Sequence, residues 1–227
     1  MSTKIKILVV DDEPDVLEII DYNLNLNGYE VYTADNGEDA LLMALKFEPD
    51  LIILDIMMPK LDGVETCKRL RANPKFSQTL IVFLTARSEE FSEIAGFEAG
   101  ADDYISKPIK PKALMSRINA ILRRNPKDEG GKPNLTVGDL VVNRERYVVV
   151  KNGIEISLPR KEFELLYLLV SKPGKVFTRD SILENIWGSD VIVVNRTIDV
   201  HVRKIREKVG DDCIVTIKGI GYKFERC

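Results

Sequence analysis

Short apolar runs alternate with longer amphipathic stretches through the first half of the chain. The runs are nearly continuous in Val, Ile and Leu, which is typical of parallel strands covered on both faces. The pattern predicts strands over residues 5–10, 29–33, 51–55, 80–85 and 104–106, and helices over residues 14–27, 37–47, 64–72, 89–99 and 111–124. Strands that alternate with helices in this way predict a doubly wound α/β domain with a five-stranded parallel sheet.

A stretch rich in Pro, Gly and charged residues, 125–133, interrupts this pattern and predicts an exposed linker. It divides the chain into domains of residues 1–124 and 134–227. The second domain opens with β-type alternation over residues 135–142, 147–150 and 154–158, with a hairpin signal at Asn152-Gly153. Helices over residues 160–171, 179–187 and 196–208 and a closing hairpin over residues 214–225 follow, which predicts an α+β fold.

Composition places the chain among globular proteins. Of its 227 residues, 44% are hydrophobic and 30% charged, and no apolar run approaches the roughly 18–20 residues that span a bilayer. The N-terminus lacks the apolar core of a signal peptide, so we expect a cytoplasmic protein without a membrane partner. Three scattered cysteines and one histidine argue against a Cys/His metal site and a Ser-His-Asp hydrolase, and Cys67 fits a buried core thiol.

The net charge of −3 conceals an asymmetry between the two halves of the chain. Residues 1–131 hold 16 Lys and Arg against 23 Asp and Glu, whereas residues 132–227 hold 17 against 13. The acidic first half and the basic second half therefore suit different partners, and nucleic acid is a candidate for the second.

Polar side chains follow the predicted parallel strands at the edge where such sheets bind ligands. Asp11 and Asp12 follow the first strand, Asp55 ends the third, Thr85 ends the fourth and Lys107 follows the fifth. Three carboxylates would repel one another unless a cation lies among them, and hard oxygen ligands suit Mg²⁺. The Lys107 ammonium can offset the charge of an incoming phosphoryl group, and Thr85 supplies a hydroxyl donor.

These groups are the parts needed for phosphoryl transfer onto an aspartate. Asp55 lies on the central strand and is the best nucleophile, while Asp11 and Asp12 are placed to bind metal. Any one Asp at a strand end could instead cap the next helix, and Asp12 before Glu13-Pro14 does resemble a helix start. The convergence of five groups favours the functional interpretation.

Several motifs closely resemble those of the receiver domains of bacterial two-component response regulators. The resemblance rests on Val9-Val10-Asp11-Asp12-Glu13-Pro14, Leu54-Asp55-Ile56-Met57-Met58-Pro59, Leu61-Asp62-Gly63, Leu84-Thr85-Ala86-Arg87, Gly100-Ala101-Asp102-Asp103-Tyr104 and Lys107-Pro108. The second half resembles the winged-helix effector domain of the OmpR/PhoB class, so the resemblance covers essentially the whole chain. It implies a flavodoxin- or CheY-like receiver followed by a winged helix-turn-helix domain.

The resemblance assigns roles to the residues of the acidic edge. It implies that a sensor histidine kinase phosphorylates Asp55, and that Mg²⁺ is held by Asp12, Asp55 and the backbone carbonyl of Met57, with Asp11 assisting. It implies a cis peptide bond before Pro108, a form that costs little before proline.

The resemblance also implies how phosphorylation acts. Thr85 would move toward the phosphoryl group, and the ring of Tyr104 would enter from the surface into the space it leaves. Phosphorylation would favour a homodimer through the face formed by residues 89–99, the following strand and the last receiver helix. Two of the usual intermolecular ion pairs fit Asp103 with Arg117 and Asp102 with Arg124, whereas a third is replaced by Glu93 and Ala113.

The helix predicted over residues 196–208 carries an apolar stripe at Ile198, Val202 and Ile205, with most of its basic residues off that stripe. A solvated basic face is the simpler interpretation for an isolated helix. A preceding short helix and a following hairpin instead indicate a helix-turn-helix with a wing, in which a helix enters the major groove of double-stranded DNA. The resemblance assigns DNA contact to Arg196, His201, Arg203, Lys204, Thr216 and Lys218, and contact with RNA polymerase to residues 188–194.

Two alternatives stay open at this point, beside the predicted transcription factor. One is a metal-dependent phosphohydrolase with an Asp nucleophile, which usually has a second Asp two positions later, where this chain has Met57. The other is a regulator whose basic helix binds an acidic protein. A steep dependence of duplex binding on salt would favour DNA as the partner.

Overall fold

The computed structural model describes residues 4–86, 99–123, 134–188 and 196–225. The chain divides into two compact units, residues 1–119 and 120–227. The predicted domain limits of 1–124 and 134–227, with the linker between them, stay predictions because residues 124–133 lie outside the described part.

The first unit is built on a five-stranded sheet in the order β2-β1-β3-β4-β5. Its described strand pairs are all parallel, which confirms the predicted doubly wound sheet. The strand order reverses between β1 and β3, the point at which ligands bind in such sheets. The strands are β1 (Lys6–Val10), β2 (Glu30–Ala34), β3 (Leu51–Asp55), β4 (Leu80–Ala86) and β5 (Asp103–Lys107).

Helices follow the strands of the first unit as the apolar pattern predicts. Polar side chains begin two of them, since Asn36 accepts hydrogen bonds from the backbone of Glu38 and Asp39, and Asp62 from that of Glu65. The helix predicted over residues 89–99 lies outside the described residues, apart from its last position. The described helices are α1 (Pro14–Leu26), α2 (Gly37–Phe47), α3 (Gly63–Ala72), a 3₁₀ turn (Pro74–Phe76) and α4 (Pro111–Arg123).

Arg71 links several segments at the edge of the sheet where β4 and β5 begin. Its nearly buried guanidinium donates to the carbonyls of Gly100, Phe76 and Thr79 at 2.8 Å each and forms a 2.7 Å ion pair with Asp102. Asp102 is 1% exposed. One cation therefore satisfies three backbone carbonyls and a buried carboxylate, which would otherwise stay costly to bury.

The described residues of the second unit form two small antiparallel sheets and three helices, which confirms the predicted α+β fold. The sheets have the orders β6-β7-β8-β9 and β10-β12-β11. The strand predicted over residues 135–142 is two strands, because Gly138 turns the chain with a φ of +62°. Their bounds are β6 (Asn134–Val137), β7 (Leu140–Asn143), β8 (Val148–Lys151), β9 (Ile154–Ile156), β10 (Phe177–Thr178), β11 (Ile214–Ile217) and β12 (Gly221–Phe224).

The helices of the second unit are α5 (Arg160–Val170), α6 (Arg179–Ile186) and α7 (Arg196–Val209). They enclose one apolar core together with the sheets. Ile198, Val202 and Ile205 are at most 1% exposed, so the predicted stripe of α7 faces this core, and Trp187 is buried at the end of α6. Within the described ranges, no helix is both long and apolar enough to cross a membrane.

Replacing Arg71 by Met should lower the free energy of unfolding by about 3–5 kcal/mol, because it leaves the Asp102 carboxylate buried without its cation. Urea unfolding followed by circular dichroism measures this loss. Arg69→Ala is the matched control, since the Arg69–Glu65 pair on the same helix is about half exposed and should contribute less than about 0.5 kcal/mol. Equal losses for the two variants would contradict the role given to Arg71.

Candidate functional site

The carboxyl ends of β1, β3 and β5 bring three predicted site residues into contact. The Lys107 Nζ atom lies 2.9 Å from Asp11 Oδ2 and 3.0 Å from Asp55 Oδ1. Because β1 and β3 are neighbours in the sheet, their terminal carboxylates meet without any loop to position them. The parallel sheet thus places residues that are far apart in the sequence next to one another.

Both carboxylates are buried, Asp11 fully and Asp55 at 5% exposure. Burial raises the pKa of each above its ordinary value, and Lys107 only partly offsets this effect. Burial also disfavours the charge on Lys107, but hydrogen bonds to its carboxylate neighbours outweigh it and raise the pKa of the ammonium. The cluster therefore has an excess of negative charge that a further cation would relieve.

Backbone amides fix the remaining oxygens of the two carboxylates. The backbone N–H of Met57 donates to Asp55 Oδ2 at 2.9 Å, and that of Glu13 donates to Asp11 Oδ1 at 3.0 Å. The predicted metal ligand Asp12 follows Asp11 and is exposed. No group of three Asp, Glu, His or Cys side chains within the described ranges is arranged to hold a metal ion. The Lys107 ammonium lies instead between the two buried carboxylates.

Gly63 lets the loop after β3 pack against the backbone of Asp55. A Cβ atom added to Gly63 would lie 2.0 Å from the Asp55 carbonyl oxygen, a distance that real atoms do not tolerate. The Gly63 N–H also donates to the carbonyl of Ile56 at 3.0 Å. The Asp62-Gly63 pair of the motif thus has two local functions, since Asp62 caps α3 and Gly63 leaves room for Asp55.

Thr85 and Tyr104 lie beside this cluster on β4 and β5. Asp55 pairs in register with Leu84, so Thr85 is one residue beyond it, and Thr85 in turn pairs with Ser106. Tyr104 is only 6% exposed, and its ring centroid is 5.7 Å from that of Phe83. The ring thus lies inward already rather than at the surface, and its movement on phosphorylation stays a prediction. The peptide bond between Lys107 and Pro108 is cis, as the resemblance implied.

Asp102, Asp103 and Arg117, which were predicted for the dimer face, have partners within the chain. Arg117 Nη2 lies 3.0 Å from Asp103 Oδ1, and Asp103 is fully buried. Asp102 is paired with Arg71, so its carboxylate does not lie on an accessible face. Arg124 and Glu93 lie outside the described residues. The intermolecular pairs therefore stay predictions, and the structure gives both acids competing intramolecular partners.

On α7, the predicted DNA-binding residues fall on two different faces. Arg203 has an exposed side chain, Lys204 is half-buried, and the side chain of Arg196 lies outside the described part of the chain. The assignment of His201 to the exposed face is wrong, because this residue is 2% exposed and its ring lies 5.3 Å from that of Trp187. Position 201 is three residues after Ile198 and four before Ile205, so it continues the buried stripe.

The closing hairpin of the second unit forms a wing. Its strands β11 and β12 pair antiparallel, and the turn between them contains Lys218 and Gly219, the latter with a φ of +76°. Thr216 and Lys218 are exposed, as predicted. A Cβ atom on Gly221 would lie 2.0 Å from the carbonyl oxygen of Phe177, so this glycine lets β12 approach β10.

Several basic and polar residues that the sequence left unassigned hold α7 against the wing. Arg206 Nη2 donates to the Ile214 carbonyl at 2.7 Å and to Thr216 Oγ1 at 2.8 Å. Tyr222 donates its hydroxyl proton to Asp199 Oδ1 at 2.6 Å, and Arg179 Nη2 forms a 3.1 Å ion pair with the same oxygen. Burial, followed by the bond to Asp199, raises the pKa of Tyr222 to about 12.

Sequence periodicity does not reveal these contacts, because they join residues 8 to 23 positions apart. In the first unit, the contact of Glu13 with Lys107 could not be predicted for the same reason. Its Oε1 atom lies 3.0 Å from Lys107 Nζ across 94 residues of sequence. The only signal in the sequence is a third acid directly after Asp11 and Asp12, and the helix that starts there offered a simpler explanation for it.

The chain matches two protein families that together cover most of its length. Residues 7–119 match the response regulator receiver domain, and residues 153–224 match the C-terminal domain of transcriptional regulatory proteins. The chain is 41% identical over 233 residues to the alkaline phosphatase synthesis transcriptional regulatory protein PhoP of Bacillus subtilis strain 168, with 97% of this chain and 96% of that protein covered. It is 45% identical over 237 residues to the probable transcriptional regulator ycf27 of Pyropia yezoensis, with 99% and 96% covered.

Solved structures agree with this result. The response regulator DrrB, an OmpR/PhoB homologue from Thermotoga maritima, is 35% identical with a TM-score of 0.51, and 98% of this chain and all of that chain are covered. A C128D mutant of RitR has a TM-score of 0.79 at 27% identity, with the same coverage. The chain belongs to the OmpR/PhoB class of two-component response regulators. It is a transcriptional regulator rather than an enzyme, and a histidine kinase and DNA are its partners.

Gly63→Ala should lower the free energy of unfolding by about 2–3 kcal/mol, because the new methyl group collides with the Asp55 backbone. Gly28→Ala is the matched control. Gly28 has a φ of +85° but no atom within 4 Å of an added Cβ, so it should lose only about 1 kcal/mol through backbone strain. Urea denaturation compares the two variants. A loss for Gly63→Ala no larger than that of Gly28→Ala would contradict the contact with Asp55.

Proposed function

We propose that Asp55 is the residue that accepts the phosphoryl group from the histidine kinase, and that this modification controls DNA binding by the second domain. The observation that carries the proposal is the Lys107 ammonium, which contacts both Asp11 and Asp55 at the carboxyl edge of the sheet. It joins a buried nucleophile, a second carboxylate and a positive charge at the switch point of a doubly wound sheet.

In this proposal an oxygen of Asp55 forms a bond to phosphorus while the P–N bond of the kinase phosphohistidine breaks. The imidazole leaves and takes up a proton. The Met57 N–H orients the nucleophile through Asp55 Oδ2, and Lys107 stabilises the negative charge on the transferred oxygens. Raised pKa values at Asp11 and Asp55 reflect how strongly this pocket favours additional positive charge.

The chemistry of the donor set suits Mg²⁺, although among the described residues no three such side chains are arranged around an ion. Two buried carboxylates share the Lys107 ammonium, and all the acidic ligands are hard oxygens of the kind this ion prefers. We assign the ion to Asp11, Asp12, Asp55 and the backbone carbonyl of Met57. When bound, Mg²⁺ would neutralise charge on the phosphoryl oxygens.

Thr85 and Tyr104 are the proposed switch residues. Thr85 follows the register partner of Asp55, so its hydroxyl is close enough in the sheet to donate to a phosphoryl oxygen after a small movement. Tyr104 packs against Phe83, two residues before Thr85 on the same strand. A shift of Thr85 would therefore disturb the contact between the Phe83 and Tyr104 rings, which joins β4 to β5.

A phosphorylation-favoured homodimer and a contact with RNA polymerase complete the proposal. The Arg117–Asp103 pair, now closed within one chain, would have to exchange for an intermolecular pair, which adds no ion pair in total. Asp102 and Arg124 are the second proposed pair, and its formation requires Asp102 to leave Arg71. Because this exchange adds no ion pair, the free energy of dimerisation must come mainly from apolar contact. Residues 188–194 are the proposed polymerase contact.

The proposed DNA-contacting residues are Arg196, Arg203 and Lys204 on α7 and Thr216 and Lys218 on the wing. Arg203 and Lys218 are exposed, so both side chains are accessible to a duplex. Arg206 and Lys208 are engaged inside the domain, with Thr216 and Glu162 respectively. They therefore contribute less to phosphate neutralisation than their positions in the sequence suggest.

Asp55→Asn should abolish phosphorylation by the kinase or by acetyl phosphate, and with it any gain in operator affinity on phosphorylation. Intact-protein mass and footprinting measure the two effects. Asp50→Asn is the matched control, because Asp50 precedes the same strand at the opposite edge of the sheet, and it should be phosphorylated as the wild type is. An Asp55→Asn variant that still gains mass would contradict the assignment of the phosphoacceptor.

Lys218→Ala should weaken DNA binding about equally for all sequences and reduce the slope of log affinity against log salt by about 1, if Lys218 neutralises one phosphate. Fluorescence anisotropy with a labelled duplex at several salt concentrations gives the slope. Lys172→Ala is the control. Lys172 is exposed, and it lies near the end of β12 that is far from the wing turn, because the N–H of the nearby Gly174 donates to the carbonyl of Phe224. Identical slopes for the two variants would show that Lys218 does not neutralise a DNA phosphate.

A further inference from the structure

Glu13 lies at the phosphorylation site, and the proposed function gives it no role. Its side chain is 64% exposed, yet it turns back from the start of α1 and places Oε1 3.0 Å from Lys107 Nζ. The backbone of Glu13 is fixed independently, because its N–H donates to Asp11 and its carbonyl accepts from Val16 and Leu17. Its side chain makes no capping hydrogen bond to the helix.

Lys107 has three ammonium protons, and three carboxylates lie around it. The distances are 2.9 Å to Asp11, 3.0 Å to Asp55 and 3.0 Å to Glu13. An ammonium group has three donors and no acceptor, so its hydrogen-bonding capacity is already full. A phosphoryl oxygen that binds Lys107 must therefore displace one of these carboxylates.

Glu13 is the carboxylate that is easiest to displace. Asp11 is buried and anchored by a backbone amide, and Asp55 is itself the group that carries the phosphoryl. The Glu13 carboxylate can move into water at little cost because an exposed ion pair is worth little. It also adds a negative charge next to the place where a phosphoryl group would arrive.

We propose that the Glu13 carboxylate occupies the position on Lys107 that a phosphoryl oxygen takes, so that Glu13 holds the lysine in place before transfer and opposes phosphorylation of Asp55. Glu13 is thus a positioning residue that acts through Lys107. The inference rests on the proposed phosphorylation of Asp55. It implies that Glu13, which does not itself bind the phosphoryl group, lowers the rate at which Asp55 is phosphorylated at a given donor concentration.

The test uses the full chain at saturating Mg²⁺ and acetyl phosphate as donor, with phosphorylation followed by intact-protein mass. Glu13→Gln should lower the donor concentration for half-maximal rate roughly two- to fivefold, the range expected when a partly exposed ion pair is removed. Glu18→Gln removes the same charge from an exposed position later in α1 and should leave the concentration unchanged. Equal values for wild type and Glu13→Gln, or a higher value for Glu13→Gln, would overturn the proposal.

Glu13→Asp separates the contact with Lys107 from a general effect of charge. Aspartate keeps the charge but is one methylene shorter, so it should reach Lys107 poorly and behave like Glu13→Gln. A Glu13→Asp protein that behaves like wild type would show that charge alone matters and would overturn the proposal. The thermal midpoint of each variant checks that it is folded. A wild-type protein that gains no phosphoryl group on Asp55 would instead refute the proposed function itself.

Discussion

The ion contacts of Lys107 are the interaction on which the rest of the receiver site depends. Two carboxylates from adjacent strands, Asp11 and Asp55, are buried at one edge of the sheet, where their mutual repulsion would be large without a cation between them. Lys107 supplies that cation from β5, a strand that is separated from β3 by β4. The strand order therefore brings to one edge both the two acids and the cation that makes their burial tolerable.

Much of this pocket could be predicted from the sequence because parallel strands place their carboxyl ends at one edge. Asp11, Asp55, Thr85 and Lys107 each end or follow an apolar run, and the alternating pattern fixes which runs are strands. Glu13 could not be predicted in this way. Its contact with Lys107 depends on a side-chain rotamer and on two backbone segments 94 residues apart, and neither follows from periodicity. The two short strands β6 and β7 were merged for a similar reason, since Gly138 gives a weak signal within an alternating run.

His201 shows the opposite error, in which a resemblance overrode a pattern. Helical spacing alone places His201 on the buried stripe of α7, between Ile198 and Ile205, and the structure has it there. The burial of Asp102, one residue before β5, could not be predicted either, because charged residues are mostly exposed. Its burial depends on Arg71, which lies 31 residues earlier and supplies both a charge and donors for the neighbouring carbonyls. A single sequence does not reveal which arginine pairs with which acid.

The second unit divides its basic residues between internal and external roles. Arg206 and Lys208 are bound to the wing and to α5, whereas Arg203 and Lys218 face solvent. The internal contacts fix the angle between α7 and the wing, and that angle decides whether both can reach one DNA duplex together. Asp199 fits this division, because its carboxylate is also paired within the domain. Tyr222 and Arg179 provide that pairing, so the Asp199 carboxylate orders the interface with part of its charge neutralised by Arg179. The number of basic residues in α7 therefore overstates the number of phosphates that the helix could neutralise.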